Sequence, residues 1–234
     1  MKTTPVLKSA AGAPGEGERR AMRGYVSQYE LAARLIYEAI AAGHLRWIGL
    51  ADRSAGDFDD IVLGLEDGVI GYQLKTKRDP EAFHLRTLLL GAAKLGERLL
   101  ISWRQLKSEY PDLPIKVTFV ADDFPHARDN LLGGSRKRGT SSAALLRTHA
   151  AHGADWSLRE WRNSEFGPFI DEIATGLKLA DDEFEAFWRS VAFIVGGAGR
   201  HAGSAAATRY DERRLNDLFA LLPRLVADPS DNDT

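Results

Sequence analysis

The chain has 234 residues, 44 per cent of them apolar, enough to bury a substantial core in one large domain or two small ones. Its formal net charge of −2 neither requires nor forbids a nucleic-acid partner, because such binding needs a local basic surface and not a basic total. The absence of cysteine excludes disulfides and thiolate metal sites, and no apolar run reaches a membrane span or a signal-peptide core, so a soluble cytoplasmic protein away from the membrane is expected.

Residues 1–21, rich in Gly, Ala, Pro and charge, read as a flexible leader. Apolar residues then recur at helical spacing through Leu31, Leu35, Ala39 and Ile40, with Gly43 as a stop, which predicts a helix over 28–42 whose apolar face backs a sheet. Ser27-x-x-Glu30 has the spacing of a capping box at its start. Trp47, Ile48 and Leu50 predict a first strand, and Arg53-Ser54-Ala55-Gly56 a loop. The stretch Asp57 to Lys77 reads as two strands joined at Asp67-Gly68, a pair suited to the positive φ of a tight hairpin turn. A helix from Leu88 to about Glu109, ended by Pro111 and Pro114, and a β-branched strand Ile115 to Val120 follow.

Beyond Asp122 the expectation is a mainly helical extension over 122–227. Gly133 to Thr140 is a basic loop in which Arg136, Lys137 and Arg138 can track a phosphate backbone, or simply face solvent. Trp161, Phe166, Phe169, Ile173, Leu177, Phe184, Phe187, Trp188 and Val191 recur with helical periods from Ser157 to about Val195 and read as core. Gly196-Gly197-Ala198-Gly199 lacks the spacing of a phosphate loop and has no evident strand before it, so it reads as a linker between helices. A last helix is expected over Asp211 to Val226, and 228–234 as a loose tail.

The hairpin concentrates the chemistry. With Asp67-Gly68 as its loop, Val62 falls opposite Gln73 and Asp60 opposite Lys75, which puts Asp60, Gln73 and Lys75 on one face and Ile61, Leu63, Tyr72 and Leu74 on the other, packed on helices. Asp60 and the amide oxygen of Gln73 are the hard oxygen donors that Mg²⁺ prefers, and a lysine ammonium can orient a water and offset charge on a phosphorane. The plainer alternative is a cross-strand Asp60–Lys75 ion pair on a solvated face, worth under about 1 kcal/mol. Asp59 ranks behind Asp60, since period two turns it the other way unless a bulge re-aims it.

A helix GYVSQYELAARLIYEAI, then FDD, then QLK, then the strand-like KVTFVADD resembles the PD-(D/E)XK phosphodiesterase superfamily, with Gln73 where an acid is usual. It is most similar to the double-stranded DNA endonuclease effectors of bacterial antiphage systems, those linked to cyclic-oligonucleotide signalling or to STAND-type ATPase sensors. The resemblance implies an α/β, restriction-endonuclease-like core over 22–121, a mixed sheet flanked by helices. It also implies Mg²⁺, or Mn²⁺ in its place, held by Asp60 and Gln73 with Asp59 or Glu30 completing the site and Gln28 as a further helix contribution. Lys75 is then catalytic, Lys77 and the 136–138 loop face double-stranded DNA, and a regulatory sensor module and a homo-oligomeric active form are the implied partners. The alternatives are a catalytically inactive DNA-binding relative and a structural adaptor that keeps only the fold.

Overall fold

The structure, a computed structural model, describes residues 33–50, 61–75, 80–131 and 140–196. Helix α1 is described over 33–41. Three strands form an antiparallel meander: β1 (Leu45–Leu50), β2 (Ile61–Leu65) and β3 (Val69–Lys75). A short β4 (Ala82–Phe83), helices α2 (Leu85–Leu90) and α3 (Leu95–Glu109), and β5 (Ile115–Ala121) come next. The short β6 (Phe124–Pro125) leads into helices α4 (Ser142–His152), α5 (Leu158–Asn163), α6 (Gly167–Leu177) and α7 (Asp181–Ser190), and then β7 (Val191–Ile194). The main sheet has the order β1-β2-β3-β5-β7, antiparallel up to β3 and parallel beyond, and β4 pairs with β6 in a separate parallel ribbon. This is the mixed, helix-flanked α/β sheet expected, with helices concentrated toward the C-terminal side.

Both sheet faces are covered. Ile61, Leu63, Tyr72, Leu74 and Val120 pack with Leu35 of α1, the face assignment that period two dictates. Within α1, Leu35 and Ile36 are buried whereas Ile40, expected on the apolar face, is 36% exposed. The opposite face, with Val62, Val69, Val117, Phe119 and Ala121, joins the larger core beneath the remaining helices, where Leu85, Leu99, Phe169, Phe184 and Phe187 are almost wholly enclosed.

The hairpin differs from the expected register. Ile61 pairs with Tyr72, Val62 with Gly71 and Gly64 with Val69, a slip of two residues that leaves every side chain on its expected face but changes its partner. Leu65 N donates to Gly68 O at 2.8 Å, so Glu66-Asp67 and not Asp67-Gly68 sits at the tip, and neither Asp67 nor Gly68 has positive φ. Gly68 is needed for another reason. A Cβ there would lie 2.7 Å from the Pro114 carbonyl oxygen, the same oxygen that accepts from Val69 N at 2.9 Å.

Two further expectations are corrected. The helix expected from Leu88 to Glu109 is divided between α2 and α3: the chain leaves the helical conformation at Gly91, where a Cβ would meet Thr87 O at 2.4 Å, and Lys94 turns left-handed at φ 48° before α3 begins. The aromatic run expected to be helical to Val195 leaves the helix at Ser190, and Val191–Ile194 pairs in parallel with β5. A strand therefore does precede Gly196, contrary to the linker argument, which required two helices. The C-terminal helices obey ordinary end rules: Ser157 and Glu160 form a reciprocal capping box, α7 opens with Asp181, Asp182 and Glu183, and Arg162 clasps both Asp171 and Asp181 at 2.7 Å. The arginine holds the Asp181 carboxyl below its usual range.

Candidate functional site

Parallel pairing brings the carboxyl ends of β3, β5 and β7 to one edge: Gln73 pairs with Phe119 and Lys75 with Ala121, and Phe119 pairs in turn with Phe193. Because β1 and β2 are antiparallel to their neighbours, β1 ends and β2 begins at this same edge, Leu50 pairing with Ile61 and Ile61 with Tyr72. Ligand sites of open α/β sheets gather at the carboxyl ends of parallel strands.

Gln73 and Lys75 alternate with Leu74 and so share a face, as expected. They differ in environment. Gln73 is 3% exposed beneath α3, whereas Lys75 is exposed at the rim. Gln73 Oε1 accepts a hydrogen bond from Arg98 Nη2 at 2.8 Å. Arg98 stands on the first turn of α3 between buried Leu95 and Leu99, which seat the helix on the sheet and carry the guanidinium to the strand end. Asp122, 7% exposed, follows β5 directly, and its N–H donates to Lys75 O at 3.3 Å. Asp123 Oδ1 accepts from Glu81 N at 2.8 Å, and its carbonyl accepts from Gly196 N at 2.8 Å, tying the edge to the segments beyond β3 and β7.

On the reverse face, burial and then Glu38, opposed by Arg34, push the Tyr72 phenol up to about 12. That group stays protonated through the neutral range and serves packing, not acid–base work.

Asp57, Asp59, Asp60, Gln28, Glu30, Lys77, Arg136, Lys137 and Arg138 lie outside the described residues. Among the described residues no group of three or more His, Asp or Glu side chains is placed to hold a metal ion. On the Gln73 face the described oxygen donor is one neutral amide, shared with a guanidinium, while Asp122 alternates to the other face and Asp123 Oδ1 is bonded to Glu81 N; this set fits Mg²⁺ poorly, because hard cations are held chiefly by anionic oxygens. A fit requires further anionic oxygen beside the Gln73 amide. Sequence reading missed Arg98 and Asp122. Only Asp122 had a legible signal, as an acid directly after a β-branched strand; nothing in LGERLL marks Arg98 as reaching Gln73.

Compared with known proteins, the chain matches no family model, no curated protein and no solved structure.

Proposed function

We propose that the chain is a Mg²⁺-dependent endodeoxyribonuclease acting on double-stranded DNA, with its site at the carboxyl edge of β3 and β5. The observation that carries this reading is the register of β2 on β3. Ile61 pairs with Tyr72, so the chain positions on either side of that pair are Asp60 and Gln73, with Lys75 two residues farther along the same face. Continued by one residue, that register would set Asp60 opposite Gln73 and on the face that Gln73 shares with Lys75. Asp60 and Gln73 would hold the ion, with Asp59, Glu30 or a second subunit adding negative charge. Bound there, Mg²⁺ would supply Lewis acidity toward a phosphoryl oxygen. Lys75, free to move at the rim, would orient the attacking water and offset charge on the phosphorane. The likeness of FDD and QLK to antiphage effector nucleases supports assigning the activity to defence, under the control of a sensor partner.

One observation favours a second reading, a DNA-binding relative without catalysis. The guanidinium of Arg98 stands at the very oxygen a metal would need, and its positive charge opposes a divalent cation. Nicking of supercoiled plasmid with Mg²⁺, against EDTA, separates the two. Under the nuclease reading wild type nicks only with metal, and Lys75→Ala loses nicking while its thermal unfolding is unchanged. Metal-independent or absent nicking by wild type, or full activity in Lys75→Ala, rejects it.

A further inference from the structure

Beyond that edge the β4/β6 ribbon carries a second constellation. Ala82 pairs with Phe124 and Phe83 with Pro125, and His126 N donates to Phe83 O at 2.9 Å, so the ladder brings His84 beside His126. Their rings stack with centroids 4.7 Å apart and planes 15° apart, close to the roughly 4.8 Å spacing of neighbouring strands. Both Nδ1 edges meet one turn. His84 Nδ1 lies 3.2 Å from Asp129 Oδ2, and His126 Nδ1 accepts from Arg128 N at 3.2 Å. Near-parallel rings whose Nδ1 edges face the same turn present their Nε2 edges together on the opposite side. Among the described residues neither Nε2 makes a hydrogen bond.

The anchoring is firm. The Asp129 side chain is 7% exposed and accepts from Ser142 N at 2.7 Å and from Ser142 Oγ, while the His84 side chain is 54% exposed. The hydrogen bonds also set the tautomers. A lone pair must face Arg128 N, so the proton of His126 sits on Nε2 and makes a fixed outward donor. His84 turns its Nδ1–H to a carboxylate, leaving Nε2 an acceptor when neutral and a second donor when cationic. A transition metal is a poor match, since the lone pair of His126 is already committed inward. With His84 protonated, the two rings present a neighbouring pair of Nε2–H donors, which suits an oxyanion with adjacent oxygens. Phe124, on the same ribbon face by period two and 46% exposed, offers a ring on which an unpaired base can stack.

We propose that His84 and His126 bind a backbone phosphate of single-stranded DNA while Phe124 stacks on an adjoining base. β4 and β6 continue from β3 and β5, so the ribbon takes up a strand frayed at the carboxyl edge; that placement rests on the nuclease reading, whereas binding does not. Fluorescence anisotropy of a labelled oligo-dT strand with the full chain in EDTA isolates binding from cleavage. His126→Ala and Phe124→Ala are each expected to weaken binding about tenfold, the scale of one charge-assisted hydrogen bond or one stacked base. His126→Phe, which keeps a stacking ring but no donor, is expected to weaken it as much as His126→Ala, with both variants melting as wild type. Unchanged binding in these variants, or competition by thymidine monophosphate as effective as by the strand, overturns the proposal. Weakened binding alongside an inert wild type in the plasmid assay upholds this site and rejects the nuclease; the reverse pattern does the opposite.

Discussion

Under the nuclease proposal Gln73 is the decisive residue, because its neighbour is a cation. A carboxylate at that position would ion-pair with Arg98 as well as face a metal, so Gln73→Glu adds one negative charge to a pocket already holding a guanidinium. The variant is expected to nick plasmid at a lower Mg²⁺ concentration than wild type. A Mg²⁺ titration of nicking checks this, and identical metal dependence in the two proteins removes Gln73 from the ligand set. His149 supports a separate expectation. It is 5% exposed among Trp161, Trp188 and Phe193, and burial lowers its pKa from 6.5 to about 4, a shift assisted by Lys116 and opposed by the carbonyl of Trp188. Across that window the unfolded chain binds a proton that the folded chain refuses, so stability rises with pH there and is lost as pH falls below the unfolded value. The loss on acidification from neutrality to about pH 4 is on the order of 3 kcal/mol. Urea denaturation across that range should show this slope in wild type and a flatter one in His149→Phe.

At the scale of elements, the turn between β2 and β3 shows why some of the fold was legible and some was not. Period-two alternation placed Ile61, Leu63, Tyr72 and Leu74 on one face whatever the turn, because a slip of two residues preserves parity. The partner of Gln73 could not be read in the same way, since it depends on which residues occupy the tip. The glycine that suggested Asp67-Gly68 is present for the closeness of Pro114, which belongs to a segment remote in the chain. Gly68→Ala must push that carbonyl away and is expected to cost about 1–3 kcal/mol, seen as a lower denaturant midpoint at unchanged slope. β7 was hidden for a related reason. Val191-Ala192-Phe193-Ile194 is a short apolar run, and such a run carries no periodicity that separates a buried strand from the end of a helix. Arg98 left no trace in sequence at all, because its role exists only where α3 crosses β3.

For the whole molecule, a net charge of −2 means that the proposed affinity for DNA would have to come from local surfaces. Replacing Arg136, Lys137 and Arg138 together by alanine is expected to flatten the salt dependence of duplex binding by about 0.9 in the log–log slope for each phosphate the protein then fails to neutralise. An unchanged slope would assign that loop to solvent.

The strand order carries a consequence for biosynthesis. β1, β2 and β3 lie close together in the sequence and can pair as they leave the ribosome, but Val117 of β5 waits for Val191. At roughly 5–20 residues per second, the outer edge of β5 stays open for several seconds after its own synthesis, with Phe119 uncovered by its ladder neighbour Phe193. An open apolar strand edge invites pairing with another nascent chain. Substitutions that weaken β7 should therefore show themselves first as loss of yield in the cell, before any fault appears in the molecules that do complete the sheet.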